Sequence, residues 1–393
     1  MIYLILYSIL IVLCLWDIIK PFSPKQSNVV LWGILIVFTL FRGLRWCTGT
    51  DWSQFHDDYY IANFGNIFSF TRYAGNSEVL EPGYVFTNAV FNIFSPYTGY
   101  LLAFNFTLLF LLKKSVTKLL LNYRVFCFCF LIITMAFFPN RQELANAIMI
   151  FSLTFFLEKK WKHFCLISLI AFSIHKSSLV MVLLFILFHL KTYVSSPILI
   201  GVFMSSYFID LPFIRIFIDK VRPLFIMINS NYEHSIDVYS NIISDGAKFN
   251  ISSFTLNVIM IVIFCRFRDI CGKDKADIRI NFLLNVFVFY LFGLRLFQNI
   301  GMTYFVRVMK FFYFADAFLF AHLFTYLFII QKKKINLLKS FFFMFILFLT
   351  INRFLGSCQI WPGCNFPYHS VLEGIDNISR NIFETFDKKM LFN

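Results

Sequence analysis

The chain has 393 residues, of which 59% are hydrophobic and 14% charged, with 57 phenylalanines and a mean hydropathy of +0.73. Soluble domains carry about 25% charged residues, so this balance excludes a soluble globular protein and predicts an integral membrane one. The formal net charge of +14 reads in such a chain as the positive-inside bias together with attraction for anionic lipid. No DNA- or RNA-binding motif argues for nucleic acid.

Apolar runs recur along nearly the whole length without a linker, which predicts an all-α, polytopic transmembrane helical bundle in one integral membrane domain, 1–393. Residues 1–16 lack a basic n-region and a nearby small-residue cleavage site, so they read as a first span rather than a cleaved signal. Spans are expected near 2–19, 27–45, 97–112, 123–138, 142–158, 160–175, 177–191, 195–210, 250–266, 280–297, 302–330 and 335–352, about twelve in all. Several are shorter than the roughly 20 residues a crossing needs, so flanking lysines and aromatic rings must reach the interface. The stretch 84–94, stopped by Ser95 and Pro96, reads as a partial or re-entrant element.

Charge sets the expected sidedness. The lysine-rich loops 113–124, 159–162, 266–279 and 332–339 fall on one side under this count, which the positive-inside rule assigns to the cytoplasm. The opposite side then carries a first periplasmic loop, 46–83, the "PNRQE" turn at 139–143, "HKSS" at 175–178, a long periplasmic loop, 211–249, the 295–307 turn and the tail 353–393. Within the long loop, Phe213, Ile214, Phe217, Ile218, Val221, Leu224 and Phe225 form a helical stripe, which predicts an amphipathic helix lying along the membrane plane.

The two sides differ in kind as well. Arg124, Arg266, Arg268 and Arg279 are the arginines assigned inside; the other ten fall outside. A planar guanidinium binds phosphate oxygens in pairs and is less strongly hydrated than ammonium, so an arginine-rich outer face suits a phosphate or pyrophosphate carried by a lipid. Arg42, Arg45, Arg141, Arg295 and Arg307 sit at or within span ends, where charge costs about 2.5–3.5 kcal/mol. Each marks a polar cavity, a snorkelling side chain, or a salt bridge with an acid such as Asp51, Glu81 or Glu143.

Nine cysteines are scattered with no CxxC pair and no Cys/His metal spacing. Those in apolar runs read as small buried hydrophobes, while Cys358 and Cys364 are close enough in the tail to bridge in an oxidising compartment. No metal or cofactor is expected.

The order of "RGLRWCTGTDWSQFHDDYY" (42–60), "EPGY" (81–84), "NRQELANAI" (140–148), "IHKSSLV" (174–180), "YFVRVMKFF" (304–312) and "PYHSVL" (367–372) resembles the EpsG-type branch of bacterial O-antigen and capsular polysaccharide polymerases, the Wzy class. In "CTGTDW" the family more often has an apolar residue before the glycine. The resemblance implies a multispanning, metal-independent glycosyltransferase of the bacterial inner membrane. It would move a growing glycan from undecaprenyl pyrophosphate onto the nonreducing end of a new lipid-linked repeat unit at the periplasmic face. Its partners would be that lipid-linked oligosaccharide, as donor and acceptor, membrane lipid and a chain-length regulator.

That chemistry needs cations for the departing pyrophosphate and a base for the attacking hydroxyl. Arg42, Arg45, Arg141, Arg295, Arg307 and Lys176 are the candidate cations, with Lys310 secondary. His175, ending a span beside Lys176, is the first candidate base, and a hydrogen-bonded structural role is its bland alternative. Asp51, Glu81 and His369 are rival bases, and Asp51 could equally cap a helix or hold Arg45. Trp52, Tyr59, Tyr368 and His369 are candidate sugar-binding side chains, against the alternative that tryptophans and tyrosines simply belt the interface. A flippase of lipid-linked oligosaccharide predicts mid-membrane charge and a repeated half, neither of which is evident; an O-antigen ligase differs in acceptor alone.

Overall fold

The computed structural model describes residues 2–46, 48, 52–71, 79–190, 193–207, 220, 251–271, 278–299, 308–331 and 336–359. These residues are helical, without a strand; Thr71 and Val79 form an isolated bridge. Six helical segments have the length and hydropathy to cross a membrane unaided: Ile2–Ile19, Pro24–Gly43, Tyr97–Leu119, Arg279–Phe297, Lys310–Ile330 and Leu337–Cys358. Helix also occupies the other expected stretches, but Arg124–Thr134, Trp161–Ile174, Lys176–His189 and Ser196–Ser205 are apolar and short. Among the described residues the chain is therefore all-helical with six candidate membrane spans by length and composition. The amphipathic stripe of 211–249, Lys220 apart, and the tail beyond Gln359 lie outside the described residues.

The contacts divide the chain into two compact units, 1–176 with 334–393, and 177–333. In the first, α1 (Ile2–Ile19) and α2 (Pro24–Gly43) are joined at a reciprocal cap in which Ser23 and Gln26 satisfy each other's backbone amides. Next come α3 (Trp52–Ile61), α4 (Pro82–Asn92), α5 (Tyr97–Leu119), α6 (Arg124–Thr134), α7 (Arg141–Leu157) and α8 (Trp161–Ile174). Helix α2 packs on α5, α5 on α7, α7 on α8, α4 on α8, and α1 on α6. The short α6 is buried on every side from Val125 to Ile133, as expected of a helix apolar all round. Its start is held by buried Asp17, whose carboxylate accepts the N–H groups of Phe126 (2.8 Å) and Phe22 (2.9 Å).

One feature of the first unit departs from the sequence expectation, and another gives an expected partial element its form. Part of the 46–83 loop is helix α3, on whose one stripe the His56 ring stacks on Trp52 at 4.8 Å and meets Tyr60 edge-on at 4.9 Å. The partial element expected at 84–94 is α4, an 11-residue helix beginning at Pro82, where proline's fixed φ suits a first helical position.

The second unit contains α9 (Leu179–Leu190), α10 (Ser196–Ser205), α11 (Ile251–Cys271), α12 (Ile278–Asn299) and α13 (Phe314–Phe324), with a π-helical turn at Thr325–Ile330. Helix α12 packs on α9, α10 and α13. Arg268, 1% exposed, joins α11 to the turn before α10 through the Val194 carbonyl and the Ser196 hydroxyl, with Asp269 alongside. The last helix, α14 (Asn336–Gln359), belongs to the first unit and packs on α1 and α6.

Candidate functional site

Three sequence motifs meet in the first unit around one carboxylate. Glu81 stands at the N-terminus of α4 but makes no side-chain cap bond to its own helix. Its oxygens are used across the chain instead. Arg141 Nη1 donates to Oε2 at 2.6 Å, His175 Nδ1 lies 3.0 Å from Oε1, and the Lys176 N–H donates to the same Oε1 at 3.2 Å. Side-chain exposure is 5% for Glu81, 13% for Arg141 and 17% for His175, so the cluster is largely screened from solvent.

Local sequence explains how each partner is presented. Arg141 is the first helical residue of α7, behind a capping box in which Asn140 accepts the Gln142 N–H and Glu143 accepts the Asn140 N–H. The cap fixes where the helix starts, and hence where the guanidinium leaves it. His175 ends α8: its N–H still bonds the Ala171 carbonyl, while its backbone turns extended at φ −156°, ψ 112°. That turn takes the next amide, Lys176, out of the helix and toward Glu81.

Gly83 permits the meeting. A Cβ there would sit 2.8 Å from the carbonyl oxygen of Ser173 and closer still to its hydroxyl, so the first turn of α4 touches the last turn of α8 backbone to backbone. Tyr84 follows: the Arg141 guanidinium lies 5.5 Å from its ring centroid, and its hydroxyl donates to Asp58 Oδ2 at 3.4 Å. Tyr84 and Asp58 are both 3% exposed. Sequence reasoning gave no role to Asp58, Gly83 or Tyr84, although all three lie within quoted motifs.

Burial alone would push the Glu81 carboxyl up. The His175 hydrogen bond and the Arg141 charge outweigh it and hold the acid down at about 2. Glu81 is therefore ionised and accepts from His175 Nδ1–H, so that Nε2 is the ring nitrogen left to exchange a proton. A carboxylate held that low takes up a proton poorly near neutrality, which counts against Glu81 as the base.

The other sequence candidates are not gathered here. Arg42 is fully enclosed at 0% exposure and Arg45 is 5% exposed, with its guanidinium 4.7 Å from the Phe138 ring centroid. Arg295, in the second unit, lies 4.7 Å from the Tyr207 centroid. Asp51, Arg307, Tyr368, His369 and Cys364 lie outside the described residues. Trp52 and Tyr59 were expected to offer open rings to a sugar, but they are 5% and 0% exposed. The Tyr59 hydroxyl donates to the Ser95 carbonyl at 2.6 Å, and both rings pack against Tyr97. Burial of flat apolar rings between α3 and α5 outweighs their display. Among the described residues no group of three or more His, Cys, Asp or Glu side chains converges to hold a metal ion.

No curated protein and no solved structure matches the chain. Residues 28–370 match the EpsG family, a stretch that contains Glu81, Arg141 and His175 and covers nearly the whole sequence. The chain belongs to the EpsG family.

Proposed function

We propose that this protein is a polysaccharide repeat-unit polymerase, moving a growing glycan from undecaprenyl pyrophosphate onto the nonreducing-end sugar of a new lipid-linked repeat unit. The reaction belongs at the periplasmic face of the bacterial inner membrane, the side to which the positive-inside rule assigns the arginine excess. The observation that carries this reading is the joining of Glu81, Arg141 and His175 from three separated motifs in a chain of this family.

In the proposed step, a hydroxyl of the acceptor sugar gives its proton to His175 Nε2 as its oxygen bonds the donor anomeric carbon. The bond from that carbon to the pyrophosphate oxygen breaks, and undecaprenyl pyrophosphate departs. Glu81, ionised and bonded to Nδ1, orients the imidazole and stabilises the imidazolium as it forms, which is the role of the acid in a Ser-His-Asp triad. Arg141, paired with Glu81, and Lys176, next in the chain to His175, are the cations assigned to the charge growing on the leaving group, an effect worth about 10²- to 10³-fold per donor in comparable sites.

The test is the glycan ladder. A strain lacking the protein, or carrying His175→Ala at normal membrane levels, is expected to show single repeat units without extension. A wild-type ladder with His175→Ala refutes the base assignment. In the deletion strain, intermediates trapped in the cytoplasmic leaflet would assign a flippase instead, and a bare lipid core would assign a ligase.

A further inference from the structure

Arg42 carries a buried charge that the proposed chemistry does not use. It is 0% exposed, and its Nε has no hydrogen-bond partner in the structure. No carboxylate among the described residues forms an ion pair with it. An enclosed cation without an acid is costly, so what surrounds it is informative. Nη1 lies 3.4 Å from Met135 Sδ; Nη2 donates to the Ala136 carbonyl at 3.3 Å and to the Tyr7 hydroxyl at 3.5 Å, and the Phe38 ring centroid is 5.5 Å away.

Two of these partners, Met135 and Ala136, lie on the connection between α6 and α7, while Tyr7 and Phe38 belong to α1 and α2. Met135 is the C-terminal cap of α6, where the negative end of the helix dipole favours a cation. From there residues 135–140 run without helix to Asn140, the cap of α7, and the next residue is Arg141. The same segment is gripped again further on. Phe137 packs on Tyr3 and Tyr7 at 5.0 and 5.1 Å, and Phe138 on Phe41 at 5.9 Å, with the Arg45 guanidinium over its ring. Helices α1 and α2 thus hold the connection whose last residue sets the origin of Arg141.

We infer that Arg42 is a positioning residue for Arg141, acting through the 135–140 connection, and not itself a ligand of the substrate phosphates. The inference rests on the proposed role of Arg141, but its first test does not. Arg42→Met removes the fork and the charge while retaining an apolar stem. In the purified full-length protein, amide hydrogen exchange across 135–144 is expected to rise about tenfold or more by local opening, with 161–174 unchanged. Arg42→Lys, which keeps a charge but cannot fork between Met135 and Ala136, is expected to give a smaller rise in the same segment. It decides the matter if Arg42→Met does not accumulate. Unchanged exchange across 135–144 overturns the inference whatever reaction the protein performs.

The second test reads function. With lipid-linked repeat units as substrate, Arg42→Met is expected to lower kcat roughly 10- to 100-fold in the wild-type background and much less beside Arg141→Lys, because the two changes disturb one element. An equal loss in both backgrounds would mean that Arg42 meets the substrate directly, which overturns it.

Discussion

Glu81 concentrates the residue-scale consequences. Its carboxyl sits at about 2 against an ordinary 4.5, so the folded state binds this proton less readily than the unfolded chain. Ionised Glu81 therefore stabilises the fold fully above about pH 4.5, and the contribution fades as pH falls toward 2. The shift corresponds to about 3 kcal/mol. Thermal stability in detergent should fall less steeply over that window in Glu81→Gln than in wild type, and parallel curves would show that the carboxylate is not held as described. Glu81→Gln should also slow chain extension, because a neutral amide supports the imidazolium less well. In the sequence Glu81 was legible as a candidate and His175 as the first-choice base. Their pairing was not, because the two lie 94 positions apart and no local periodicity encodes that contact.

At the scale of elements, the close approach of α4 to α8 sets the site. Gly83→Ala brings a methyl group against the Ser173 carbonyl oxygen, a backbone atom that cannot rotate aside. The expected cost is about 1–3 kcal/mol in stability, read as a lowered melting temperature, together with a loss of chain extension as Glu81 is pushed from His175 and the Lys176 amide. Combining Gly83→Ala with Ser173→Ala should recover part of the loss, since the hydroxyl contact is relieved and the carbonyl contact persists. Full stability in Gly83→Ala alone would show that the helices are further apart than described. The element 84–94 was legible as a short piece because Ser95 and Pro96 end it. Helix α3 was not, since its polar and aromatic residues look like a loop until Asp58 and Tyr59 are seen buried against Tyr84 and Ser95.

For the whole molecule, sidedness is the property that the proposed reaction most needs. Single cysteines replacing Tyr60, Ser235 and Asn365 are expected to label from the periplasm, and one replacing Ile270 from the cytoplasm, with a membrane-impermeant thiol reagent. A reversal at any of them breaks the topology and removes the periplasmic site with it. Lysine-rich loops on alternate connections are what predict this arrangement from the chain. A count of crossings is harder to read, because a short apolar run fits both a buried core helix and a thin span. Helix α6, enclosed throughout by protein, illustrates the first.

The sequence by itself determined the membrane class, the helical architecture and the motifs that carry the family resemblance, since each follows from composition or from spacing along the chain. The tertiary structure alone decided which charges meet. It joined Arg141 to Glu81 across 60 positions and enclosed Arg42 beneath the turn that leads to Arg141. The physical reason is that ion pairs in a bundle depend on how closely backbones approach and where helices begin and end, quantities set by Gly83, Asn140 and the packing around them.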